Sequence, residues 1–167
     1  MDISTLPLVL HVAAGTVALA TFWTAGLVKK GTPLHRRVGQ AYLLAMLAII
    51  LTGIPLVLQV TARGQPVGAL FLTYLLVLVG NASWSAWRAI RDRRDRKAYF
   101  GPMYWFVAAL TAGSGLAIIA LGLQTGAVLL QVFGGVGVLG GIGAISSWRR
   151  SATDPKWWLK EHYGAMI

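Results

Sequence analysis

Apolar residues gather into five nearly continuous stretches: Leu6 to Val28, Val38 to Val60, Val67 to Trp87, Tyr104 to Leu123 and Ala127 to Ser146. Each is bounded by a short polar or basic segment. About 20 such residues cross a bilayer as a helix, because lipid leaves every backbone polar group to be satisfied within its own segment. The pattern predicts an all-α integral membrane protein, with a five-helix transmembrane bundle over residues 1–147 and a tail over 148–167. The first stretch runs straight into Lys29 and Lys30, has no basic segment ahead of it and no cleavage site, and so reads as a retained span rather than a signal peptide. In the tail, Asp154 and Pro155 precede Lys156, Trp157, Trp158, Leu159 and Lys160, which predicts a capped amphipathic helix on the cytoplasmic leaflet. Gly164 to Ile167 turn apolar again, and whether they open a sixth span is left undecided by the pattern.

Composition agrees: 56% of the residues are hydrophobic and 12% charged, too apolar for an ordinary soluble domain. The formal charge of +10 changes the picture only through its distribution. Of the 15 Lys and Arg, 14 fall in the first and third loops or after the fifth stretch, and Arg63 alone falls on the other side. Under the positive-inside rule, this places the N-terminus outside and the C-terminus in the cytoplasm. The seven Trp cluster at the same predicted cytoplasmic boundary, where amphipathic rings prefer to sit. The Arg88 to Lys97 run therefore reads as a contact for anionic headgroups and not for nucleic acid. With no cysteine, the chain has no disulfide, thiolate metal site or covalent haem attachment.

Catalytic patterns are missing. No Ser-His-Asp set, carboxylate pair or phosphate loop is visible, and Gly135, Gly137 and Gly140 match a dinucleotide fingerprint with no strand before them. Gly137 and Gly141 instead form Gly-x-x-x-Gly, a close-packing surface within the chain or between protomers. Ionisable groups at membrane depth are costly, roughly 2.5 to 3.5 kcal/mol for a charged one, and each is a functional candidate. His11 is the clear case. It heads a small-residue face of Ala14, Gly15, Ala18, Thr21 and Ala25 that suits either helix packing or a flat ligand. His35 repeats the spacing with Gly39, and Tyr42 continues the face; its position beside Arg36 and Arg37 also fits a solvated loop residue. His162 either joins His35 as an axial pair for haem iron or belongs to a mobile tail. A shallow pocket of His35, Gln40, Tyr42, Asn81 and Trp84 is a further expectation.

The order His11, Gly15, then His35, Arg36, Gly39 and Tyr42 resembles the bacterial predicted membrane proteins of domain of unknown function 2306, with a His and Gly in one helix and His-Arg-x-x-Gly-x-x-Tyr at the next. The similarity covers Leu6 to Val60. That family's later histidine motif has no counterpart in Arg88 to Tyr104. The resemblance implies a multi-span protein without naming a substrate. Two functions are expected from the residues: a small electron-transfer protein binding haem b or a quinone through His11 or His35, or a non-catalytic assembly subunit docking on itself or a larger complex through Gly137 and Gly141.

Overall fold

A computed structural model describes residues 5–166, all of whose regular structure is helical. The helices are α1 (Leu6–Leu27), α2 (Pro33–Ala62), α3 (Pro66–Arg91), α4 (Arg96–Tyr99), α5 (Pro102–Thr125), α6 (Val128–Arg150) and α7 (Trp157–Met166). Five of them are long and apolar enough to cross a membrane. Ile167, and with it the question of a sixth span, lies outside the described residues.

The helices overrun the apolar stretches on their basic flanks. α2 begins at Pro33 instead of Val38 because Thr32 accepts a hydrogen bond from the His35 amide (3.2 Å) and Pro33 occupies the first helical position. α3 continues to Arg91 and α6 to Arg150. Hydropathy marks the lipid-facing length, whereas the hydrogen-bond ladder continues until a cap or a turn stops it. Pro55 lies inside α2 without ending it.

The chain divides into two compact units, Met1–Ala69 and Leu70–Ile167, with the boundary in the first turn of α3. In the first unit, α1 and α2 form a hairpin. Gly31 turns it with φ +80, a conformation natural to glycine, and the Lys30 ammonium donates to the Ala25 and Gly26 carbonyls (2.7 and 2.6 Å) at the open end of α1.

In the second unit, α5 and α6 pack along glycines, joined by a left-handed Gly126. A side chain at Gly115 would put its Cβ 2.7 Å from the Gly134 carbonyl oxygen, and one at Gly134 would come 2.6 Å from that of Gly115. The two backbones touch where both residues lack side chains. Gly141 meets Ala112 and Gly137 meets Tyr74 and Thr111 in the same way, so the Gly-x-x-x-Gly surface is taken up inside the chain. Around the other end of this unit, Tyr99, Phe100, Tyr104 and Trp157 form a buried cluster of tilted and edge-on rings with centroids 4.8 to 5.5 Å apart. Trp157 thus belongs to a core, while Trp23, Trp87 and Trp148 are exposed rings of the kind the boundary clustering predicts.

Candidate functional site

The α1–α2 hairpin holds two of the three histidines in one common arrangement. The His11 Nδ1 lies 3.0 Å from Thr52 Oγ1. Thr52 has a single hydroxyl proton, which it donates to the Ala48 carbonyl at 2.6 Å. Its oxygen can only accept from the ring, so His11 donates through Nδ1–H and Nε2 carries the lone pair. At the other end of the hairpin, His35 Nδ1–H donates to the Ala25 carbonyl at 3.2 Å, which again leaves Nε2 as the basic nitrogen. A ring fixed through Nδ1–H to an oxygen acceptor is the arrangement in which histidine presents Nε2 to a metal or to a ligand hydroxyl.

Each histidine lies one turn from an open glycine. A Cβ built at Gly15 or at Gly39 meets no atom within 4 Å, in contrast to the closed glycines of α5 and α6. These two glycines make no close contact, so the packing account of the small-residue face does not explain them. Ala18, further along the same face, is buried. Tyr42 approaches Phe22 across the hairpin with ring centroids 6.1 Å apart, and its hydroxyl has no partner among the described residues.

The two histidines are not an axial pair for one iron. His11 and Ala25, the residue that holds His35, are fourteen residues apart on α1, a rise of about 21 Å. They mark the two ends of the hairpin. His162 belongs to the other unit, where α7 packs through Trp157 and His162 Nδ1–H donates to the Ala86 carbonyl at 3.1 Å. Beside it, the Tyr99 hydroxyl donates to Glu161 at 3.2 Å.

Of the residues expected to share a pocket, Asn81 and Trp84 belong to the second unit. These two line a groove of about 300 Å³ between α3 and α5, with Gly80, Met103, Val107 and Leu110. His35, Gln40 and Tyr42 belong to the first unit, on the α1–α2 hairpin. Asn81 is itself occupied, donating to Thr111 Oγ1 (3.1 Å) and accepting from Ser85 (3.0 Å). Asn81 thereby ties α3 to α5, as polar side chains between membrane helices do.

At the end of α3, Arg88 and Arg91 both pair with Asp92. Burial pushes the Asp92 carboxyl up, but the hydrogen bonds and charges of the two guanidiniums outweigh it and hold the group below the usual carboxylate range. No group of three His, Cys, Asp or Glu side chains suited to a metal ion comes together among the described residues. A single histidine with haem iron needs no such group. No family model, curated protein or solved structure matches the chain.

Proposed function

We propose that this is a multi-pass protein of the bacterial cytoplasmic membrane, with its N-terminus outside, that binds a flat redox group, haem b or a quinone, on the α1–α2 hairpin. The orientation rests on the 14 basic residues gathered on one flank against Arg63 on the other. His11 is the ligand residue. Its Nε2 is the lone-pair nitrogen at membrane depth, and the open Gly15 beside it leaves room for a planar group to approach the helix. His35, with Gly39 and Tyr42, offers the same chemistry at the opposite end. The observation that supports the reading is the Thr52 hydroxyl, whose own bond to Ala48 leaves the lone pair of the His11 ring on Nε2. The resemblance of Leu6 to Val60 to domain of unknown function 2306 rests on these same residues.

The test is purification from bacterial membranes in mild detergent, followed by absorbance spectroscopy and solvent extraction of quinones. A Soret band or stoichiometric quinone is expected from the native chain and is lost in His11→Ala. A preparation with neither group counts against the reading. Phosphatase fusions after Gln65 and after Arg94 test the orientation separately: the first is expected to be active and the second silent, and the reverse overturns it.

A further inference from the structure

We propose that the groove between α3 and α5 holds an acyl chain of one anionic phospholipid, whose phosphate rests on Arg93, Arg94 and Lys97. The groove is lined almost wholly by apolar atoms, and Gly80 is among its lining residues, where a Cβ would meet nothing within 4 Å. Its Trp84 end lies seven residues before Arg91, about 10 Å along α3. Met103, at its other wall, stands in the first turn of α5, just after the α3–α5 connection. That connection carries five arginines and lysines after Arg88, and its structure sorts them. Arg88 is held by Asp92 and the Ala98 carbonyl, Arg91 by Asp92 and the face of Trp87, and Arg96 by Ser151 and the Trp148 carbonyl. Both carboxylates are engaged as well, since Asp95 accepts from the Ala98 amide.

Arg93, Arg94 and Lys97 are left exposed and without a partner among the described residues. Three unbalanced cations beside an apolar groove match one molecule that has a phosphate at one end and a hydrocarbon chain at the other. A bilayer supplies that molecule, and a free phosphate would leave the groove unfilled.

Native mass spectrometry of the full chain, in micelles doped with phosphatidylglycerol or with phosphatidylcholine of identical acyl chains, tests the assignment. One phosphatidylglycerol is expected to persist under activation that strips phosphatidylcholine, with a preference of about a hundredfold for three cations near the surface. The triple variant Arg93→Gln, Arg94→Gln, Lys97→Gln is expected to lower phosphatidylglycerol retention to the phosphatidylcholine level. Gly80→Leu, at a position where a Cβ meets nothing within 4 Å, is expected to occupy the groove and remove the bound lipid with helicity unchanged; Leu110→Trp is expected to do the same from the α5 side. Equal retention of the two lipids, retention in both groove-filled variants, displacement by inorganic phosphate alone, or displacement by an uncharged quinone would each overturn the proposal.

Discussion

The two units use glycine in opposite ways. Where α5 meets α6, Gly115, Gly122, Gly134, Gly137 and Gly141 sit so close to their neighbours that a single methyl group would strike a carbonyl oxygen or a side chain, while Gly113, Gly135, Gly140 and Gly143 on the same helices face away from any contact. On the α1–α2 hairpin, Gly15 and Gly39 face open space, each one turn from a histidine whose Nδ1 is already engaged. Composition alone does not separate these cases. In one, the missing side chain makes the fold; in the other, the fold is complete without using the space that the missing side chain leaves.

The largest expected effect breaks this comparison most openly. Gly134→Leu should lower stability by about 3 kcal/mol, because the contact is backbone to backbone and cannot be relieved by a rotamer change. Gly135→Leu and Gly15→Leu, at positions where an added Cβ meets nothing within 4 Å, should leave the thermal midpoint in detergent nearly unchanged. Equal losses in all three would erase the distinction between closed and open glycines.

Next in size is the acid limb. Asp92 has a folded pKa below its ordinary value, so its contribution is complete above the unfolded carboxylate range of about 3.9 and is lost as pH falls through the lower folded value. The melting temperature of the native chain should therefore hold from pH 6 to about pH 5 and fall progressively below that. Asp92→Asn should start less stable at neutral pH and lose less on acidification.

The smallest effects come from single hydrogen bonds, one in each unit. Tyr74→Phe removes the bond from the Tyr74 hydroxyl to the Phe133 carbonyl (2.7 Å), and Thr52→Val removes the acceptor for His11. Each should cost about 0.6 kcal/mol of stability, the usual size of such bonds between membrane helices. What distinguishes them is the second readout: Thr52→Val frees the His11 ring and should weaken cofactor binding about tenfold or more, whereas Tyr74→Phe should leave it unchanged.

Much of this fold was legible in the linear pattern, because lipid leaves so few ways to satisfy a backbone. The five long helices lie where the apolar stretches place them, and their overrun into basic segments follows from the cap at Thr32 and the absence of any stop at Trp87 or Ser146. The partners were not legible. His11 and Thr52 are 41 positions apart and meet only once the hairpin register is set, which depends on the length of the Gly31 turn and not on any local motif. Trp157 read as an interfacial ring for the same reason: hydropathy gives Trp either place, and only the rings of Tyr99, Phe100 and Tyr104 decide between them. Gly137 and Gly141 announced close packing, but which surface they pack on depended on where α5 lies.

The most direct test of the histidine assignment is a haem b titration of the detergent-solubilised chain beside His11→Ala, His35→Ala and His162→Ala, followed through the Soret band. Saturable one-to-one binding that His11→Ala abolishes and His162→Ala leaves intact is the predicted result. Binding that survives His11→Ala undiminished, or that disappears only with His162→Ala, would contradict it.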